Sequence, residues 1–518
     1  MPASSNQQSK SSPHVTRSAA LVALLLAADK LLGIVREAAV GRAFGTSAVL
    51  DAYFAAFEIP EGLNTIVTGA ALTTALIPLL TSVIARADRD DLYRFISSVI
   101  NWVLIVVSVA SIVAAVLARP IIVTVAPGFA GNPAQVALAA RLMRLVLVQT
   151  LIFSASTVVT STLQAHRHFL LPALAPLCYT LGRTFGAVVL APRMGIFGLA
   201  WGGLTGAVVH LLVKIPWLVR HKARWTLTLI HPDLPNLLKL MGPRMLGMGV
   251  TYVGFVLPTT FGSQLPPGSI SAYEYAWKLM QLPETVLGTA MGIVVLPTLA
   301  GLVEQNDQAG LRRTFSWALR LILALSIPAA VGLLVLGRPL TALVLQRGAF
   351  DAAATDRVYW ALQFFALGLV AHSALEVVAR LFYARRDMWT PFWAALGGLA
   401  LNAGVGWWLL PALAHGAIAL ANSLGVGLQV IFLLLVAQRR TGGVAGRALG
   451  VSLVRTALAS ALMGAAVVGF RALLPDAGLL VTSTGGLAVG ATTYVLAALL
   501  LGSEEIRRLP GLLLQRGG

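Results

Sequence analysis

The 518 residues are 57% hydrophobic and only 11% charged, with a mean hydropathy of +0.82. Soluble domains carry about 25% charged residues, so this composition excludes a string of water-soluble domains and requires a surface that faces lipid. A net charge of +18 would suggest nucleic-acid binding in a soluble protein, but here the basic residues sit in short breaks between apolar runs, and no nucleic-acid partner is expected.

Residues 1–17 read as a polar tail with no A-x-A cleavage site behind it, so the first helix is expected to be retained. Cutting the chain at charged and Gly/Pro-rich breaks predicts fourteen spans, over 18–41, 48–80, 95–118, 138–162, 170–190, 196–218, 238–260, 270–300, 314–336, 357–382, 390–411, 416–436, 450–470 and 481–501. Each approaches or exceeds the roughly 20 residues a bilayer needs. Alternate breaks are rich in arginine, as at Arg86, Arg89 and Arg94 or Arg439, Arg440 and Arg447. The bias places both termini in the cytoplasm, which an even number of spans also requires.

An internal repeat is visible. Gln164-Ala-His-Arg-His-Phe-Leu-Leu-Pro172 matches Tyr383-Ala-Arg-Arg-Asp-Met-Trp-Thr-Pro391, and the same offset of 219 carries Pro78 onto Pro297. Ile59-Pro60-Glu61 resembles Leu282-Pro283-Glu284 four residues out of that register. The expected fold is an all-α polytopic membrane protein with two parallel-repeat lobes of six helices, 18–222 and 223–440, around a central cavity. Two further helices over 441–502 and a cytoplasmic tail over 503–518 complete it.

The first span contains the most telling charges. Ala19 to Ala28 is too short an apolar run to cross a bilayer, so the helix must continue through Asp29, Lys30, Arg36 and Glu37 toward Phe44. The second span adds Asp51, Glu58 and Glu61 with Asn64 and Thr65; the eighth adds Glu274, Lys278, Gln281 and Glu284. Charges at membrane depth face a cavity or a partner. Arg36, Lys278 and Lys30 are the candidates to bind an anionic group, with Asp51 and Asn64 beside them. Asp29, Glu37, Arg42, Glu58, Glu61 and Glu274 are candidates for charge pairing or gating, and Pro60 and Pro283 for helix bends. Asp29, Asp51 and Glu58 have an alternative reading as structural counter-ions. A guanidinium grips phosphate bidentately where an ammonium acts as a point charge, so a pyrophosphate-bearing substrate suits the mixture.

Other features read more plainly. Cys178 is the only cysteine and is expected to be a buried structural thiol. His210, His372 and His415 lack paired ligand spacing, so no metal is expected. Without a phosphate loop, nucleotide fingerprint or Ser/His/Asp arrangement, neither a cofactor nor enzymatic catalysis is expected. Pro127-Gly128-Phe129 reads as a turn, Thr355 as a helix N-cap, and Gly45, Gly69, Gly288 and Gly292 as points of close helix contact.

Several segments together resemble a known family. They are Leu31-Leu-Gly-Ile-Val-Arg36-Glu-Ala, Arg42-Ala-Phe-Gly45, Asp51-Ala-Tyr-Phe-Ala-Ala-Phe57-Glu-Ile-Pro60, Ala126-Pro-Gly-Phe129, Leu282-Pro283 through Leu296-Pro297, Arg347-Gly-Ala-Phe350, and Arg380-Leu-Phe-Tyr-Ala384 with Asp387 and Thr390-Pro391. In order and over almost the whole chain, they resemble the MurJ (MviN) family of bacterial lipid II flippases in the multidrug/oligosaccharidyl-lipid/polysaccharide exporter superfamily. The resemblance implies a cationic cavity, a groove on the last two helices for a polyprenyl tail, and movement of lipid II, undecaprenyl-pyrophosphate disaccharide-pentapeptide, from the inner to the outer leaflet of the cytoplasmic membrane by alternating access. It also implies coupling to membrane potential or a monovalent ion, and bilayer lipids and cell-wall synthesis proteins as partners.

Arg36 matches the family's first-helix arginine and Asp51 its second-helix acid, with Asp51 expected to pair with a cavity cation. Lys30 and Lys278 stand where the family usually has arginines; Asn64 and Thr65 replace a pair of arginines, and Trp277 an acid. These departures keep open a flippase for another polyprenyl-linked glycan. A non-transporting scaffold for envelope synthesis is the other alternative; an exporter of small cations or drugs would need an acidic or aromatic cavity, which the basic first helix opposes.

Overall fold

The computed structural model describes residues 13–86, 88–441 and 446–508; the expected tails before residue 13 and after 508 lie outside the described residues. The main helices are α1 (Pro13–Phe44), α2 (Ala48–Leu63), α3 (Ala70–Ala85), α4 (Arg89–Val116), α5 (Pro133–Ala165), α6 (Leu170–Phe185), α7 (Ile196–Leu212) and α8 (Leu234–Gly262). They continue as α9 (Ser269–Glu284), α10 (Ala290–Glu304), α11 (Gln308–Leu345), α12 (Ala352–Ala384), α13 (Trp389–Leu413), α14 (His415–Thr441), α15 (Arg447–Leu473) and α16 (Gly486–Leu500).

Among the described residues, eleven helical stretches are long and apolar enough to cross a bilayer. The chain is an all-α multi-pass membrane protein, but the expected count of fourteen is not reached. The helices over 18–41, 238–260 and 270–300 do form; α1 and α9, both interrupted by ionisable residues, and α8 fall outside the eleven. As the short apolar run required, α1 is continuous through Asp29, Lys30, Arg36 and Glu37 to Phe44.

Large apolar side chains cover the outside: Val116 and Trp407 are each 73% exposed, as Ile112, Trp408 and Val454 largely are. Water would not tolerate that surface, whereas acyl chains match it. Polar groups turn inward. Along α5 the hydroxyls of Thr150, Ser154, Thr157, Thr160, Ser161 and Thr162 each donate to the carbonyl four residues back, so the helix itself satisfies them without water.

The chain divides into two compact units. The first takes residues 13–43, 52–125 and 132–252; the second takes 44–51, 126–131 and 253 onward. In the first, Leu76 and Leu80 of α3 pack with Phe95 and Val99 of α4, Val158 of α5 and Leu237 and Met241 of α8. Its segment 223–233 is pinned to α4: Asn101 donates to the carbonyls of Thr226 and Thr228, and Arg86 pairs with Asp233 at 2.7 Å. In the second, Phe315, Leu319 and Ile322 of α11 pack with Val377 and Leu381 of α12 and Leu433 of α14.

The repeat extends well beyond the matching strings. Helix starts recur 219 residues apart, at Arg89 and Gln308, Pro133 and Ala352, Leu170 and Trp389, and Ile196 and His415. N-caps recur with them: Asp88 and Asp307, then Asn132 and Asp351, each accept a backbone N–H of the first turn. Thr355, expected as a cap, therefore lies inside α12, where its hydroxyl donates to the Asp351 carbonyl. Arg167 and Arg386 both adopt φ 59°, a left-handed conformation that costs a side-chain-bearing residue on the order of 1 kcal/mol.

The turn at Arg386 is held by Asp387, whose carboxylate accepts the Thr390 amide at 3.0 Å, the Thr390 hydroxyl at 2.6 Å and an Arg440 N–H. Burial pushes the Asp387 pKa up, but these hydrogen bonds and the Arg440 charge outweigh it and hold it at about 2, below its ordinary 3.8. The resulting stabilisation is complete above the ordinary value and disappears as pH falls through about 2. Protection of the Thr390 amide against hydrogen exchange, relative to its intrinsic rate, is expected to fall across that window. Protection that stays flat, or falls equally in Asp387→Asn, would exclude the carboxylate as its cause.

Candidate functional site

Helices α1, α2, α5, α6 and α7 carry the polar groups of the first unit's candidate site. On α1, Arg36 pairs with the adjacent Glu37 at 2.6 Å; the two side chains are only 16% and 13% exposed. Asp29 accepts the Thr180 hydroxyl at 2.7 Å. Lys30 and Arg42 are exposed. On α2, Pro60 precedes a single π-helical turn, Asn64–Thr68, that ends in the break at Gly69. The bend widens the helix at a site-bearing segment, and Asn64 Oδ1 accepts the Thr68 hydroxyl at 2.6 Å. The Tyr252 hydroxyl donates to the Glu58 carbonyl.

The centre of this arrangement is Arg183 of α6, which the charge analysis misses. Its guanidinium lies 5.8 Å from the centre of the Phe57 ring and 5.7 Å from that of Tyr179, distances suited to cation–π attraction. It lies near Tyr53 and attracts Glu37 and Glu61 electrostatically. The structure thus brings Glu37 and Glu61, two of the predicted pairing residues, to one unpredicted cation. Beside them lies a cavity of about 280 Å³ with Pro60, Glu61, Asn64, Gln149, Tyr179 and His210 in its wall.

Lys214 is also missed. It is fully buried, with Nζ donating to the Ser156 hydroxyl and the Thr160 hydroxyl, both at 2.7 Å, and standing 3.5 Å from His210 Nδ1. Arg183 and Lys214 carry the same signal as Arg36, an ionisable residue inside a predicted span. Cys178, expected to be buried, is half-buried on α6.

In the second unit, Asp51 meets backbone donors. It is 2% exposed, and its carboxylate accepts the backbone N–H groups of Gly268 at 2.6 Å and Ser271 at 2.8 Å. The N-terminus of α9 presents unpaired donors and positive dipole charge, which a buried carboxylate satisfies. Asp51 thereby caps this helix, and Arg357 attracts it electrostatically. Segments that carry the family resemblance meet at this end of the unit. A Cβ on Gly45 would fall 2.4 Å from the Ala349 carbonyl oxygen, and one on Gly128 would fall 1.9 Å from that of Ser263. Only glycine permits such backbone approach.

Lys278 lies 5.8 Å from the centre of the Tyr275 ring, and Glu274 is half-buried one turn earlier. Pro283, like Pro60, leads into a π-helical turn, Thr285–Thr289. Trp277, in place of the family's acid, packs on Phe365 and His372. Glu376 and Arg380 of α12 form an ion pair at 2.6 Å.

Residues 40–487 match the family described as Lipid II flippase MurJ. The chain is 29% identical to the lipid II flippase MurJ of Burkholderia cenocepacia over 423 residues, covering 80% of this chain and 81% of that protein. It is similar to a solved structure of lipid II flippase MurJ in an inward closed conformation, with TM-score 0.80, 23% identity, and 95% and 99% of the two chains covered. It is also similar to an inward-facing multidrug resistance MATE family transporter of the MOP superfamily, with TM-score 0.68, 14% identity, and 80% and 94% covered. The MATE likeness reports the shared fold, while the family match spans all but the ends of the chain. This chain belongs to the lipid II flippase MurJ family.

Proposed function

We propose that the chain moves lipid II from the inner to the outer leaflet of the bacterial cytoplasmic membrane by alternating access, with both termini in the cytoplasm. The family match over residues 40–487 carries this reading. The physical problem is a head group bearing a diphosphate on a long apolar tail. Each CH₂ kept out of water is worth about 0.8 kcal/mol, so the tail stays in lipid while the protein shelters the head group.

Arg36 is the residue we assign to the diphosphate. Glu37 Oε1 accepts both the Nε and the Nη2 hydrogens of its guanidinium, at 3.1 and 2.6 Å, and a phosphate offers a pair of acceptor oxygens with greater negative charge. Capture of the diphosphate exchanges one anion for another without leaving a buried cation unpaired, a state that would cost several kcal/mol. Exposed Lys30 supplies a second positive charge on the same helix, and Lys278 is the candidate cation of the second unit. Differential affinity for the loaded protein then shifts its conformational population, driven in net direction by membrane potential or a monovalent ion. Bilayer lipids and cell-wall synthesis proteins are the partners this role implies.

The test is leaflet translocation of labelled lipid II in cells depleted of their own flippase. The native chain is expected to restore movement, and Arg36→Ala, at equal membrane abundance, to reduce it at least about tenfold, equivalent to about 1.4 kcal/mol. No movement by a well-expressed native chain would reject lipid II, and the Asn64 and Thr65 departures would then favour another polyprenyl-linked glycan.

A further inference from the structure

The cavity beside α2, α5 and α6 differs in chemistry from the Arg36–Glu37 pair. Its volume of about 280 Å³ is below the ~300–1,000 Å³ of sites that hold drug-sized ligands and matches a single sugar ring. Its wall combines the aromatic rings of Phe57, Phe153 and Tyr179 with the polar side chains of Glu61, Asn64 and Gln149. Phe153 and Tyr179 meet edge to face at 4.8 Å, a rigid apolar corner of the kind against which C–H faces pack.

The hydrogen-bonding groups are mixed. Gln149 is 6% exposed and donates from Nε2 to the Tyr179 hydroxyl at 3.0 Å, which leaves the phenolic hydrogen to donate elsewhere. Gln149 Oε1 has no hydrogen-bond partner among the described residues. That oxygen is closed off from the cavity and lies against Gly203, so the amide acts on a ligand through the phenol it orients. Asn64 uses its oxygen for Thr68 and retains its amide hydrogens, while Glu61 contributes a carboxylate.

Charge narrows the ligand. An anion is opposed by Glu61 in the wall. A metal cation is opposed by Arg183, which already attracts Glu61. A neutral ring bearing hydroxyl donors and acceptors on its edge and C–H groups on its faces satisfies every element of the wall. We propose that this cavity is a sugar subsite, taking one pyranose of the lipid-linked disaccharide, with Tyr179 and Glu61 as its specificity-determining contacts and Gln149 as the residue that positions the Tyr179 hydroxyl. This inference rests on the lipid II reading above.

The purified full-length chain in lipid nanodiscs would be titrated with lipid II and with undecaprenyl diphosphate, which shares the tail and diphosphate but lacks the glycan. Gln149→Leu is expected to weaken lipid II binding about tenfold and undecaprenyl diphosphate binding less than twofold. Tyr179→Phe, which removes only a hydroxyl, is expected to weaken lipid II alone by about threefold with an unchanged thermal midpoint, separating recognition from folding. If the native chain binds both lipids but the variants weaken both alike, or neither, the subsite is rejected while the lipid II reading stands. If the native chain binds neither lipid, both are rejected.

Discussion

Gly202→Leu is expected to abolish the folded first unit. Helices α6 and α7 approach so closely that each fills the space a side chain would need on the other. A Cβ on Gly202 would stand 2.4 Å from the Gly186 Cα and 2.8 Å from the Gly182 carbonyl oxygen; one on Gly182 would stand 2.3 Å from the Gly206 Cα. The opposing atoms are backbone, so no side-chain rotation relieves the clash. The helices would have to separate along a seam that carries Tyr179 and Arg183. Overpacking commonly costs 1–3 kcal/mol where side chains can yield, and about 3 kcal/mol or more is expected here. Size-exclusion chromatography in detergent should show the monodisperse peak lost for Gly202→Leu and kept for Gly404→Leu, whose added Cβ meets nothing within 4 Å. A normal peak and melting midpoint for Gly202→Leu would show that the seam is not close-packed.

That seam also shows where sequence reasoning stops. With 49 glycines in the chain, small residues four apart are abundant, and spacing does not distinguish Gly182, Gly186, Gly202 and Gly206 from glycines that touch nothing. Membrane class and most helices were legible because lipid imposes one rule on every span, a long apolar run. The course of α1 through Asp29 to Glu37 was legible for the same reason, since its apolar run alone is too short.

The repeat was legible at Gln164–Pro172 and Tyr383–Pro391. Its full extent was not, because what persists at an offset of 219 is often a role rather than a residue. Asn132 and Asp351 cap equivalent helices with different side chains, and Gly195 and Ala414 share positive φ without sharing a residue type. The capping role of Asp51 was not legible for a related reason. Its partners are backbone N–H groups 217 and 220 residues away, and a backbone donor leaves no mark in sequence. The Arg36–Glu37 pair, between neighbours, was within reach of sequence analysis; Arg183 was visible as an ionisable residue inside a predicted span, but its partners, which come from α1 and α2, were not.

Arg183→Met is expected to be the most damaging charge substitution for transport, with a loss of at least about a hundredfold in lipid II translocation at equal abundance, equivalent to about 2.7 kcal/mol. Methionine keeps much of the side chain's length and apolar contact, so packing on Phe57 and Tyr179 survives in part. What disappears is the charge that attracts Glu37 and Glu61. Glu37 then competes more strongly for Arg36, the residue assigned to the diphosphate, while Glu61 adds uncompensated negative charge beside the proposed sugar subsite. Both changes oppose an anionic substrate. Adding Glu61→Gln removes one of the two stranded carboxylates, so the double variant should recover stability beyond the sum of the single effects. Coupling between contacting charges is typically about 0.5–3 kcal/mol, and at least about 1 kcal/mol is expected from unfolding midpoints across the four proteins. Strict additivity would mean that Arg183 and Glu61 do not act on one another. Full transport by Arg183→Met would remove the arginine from the substrate path and leave it as packing alone.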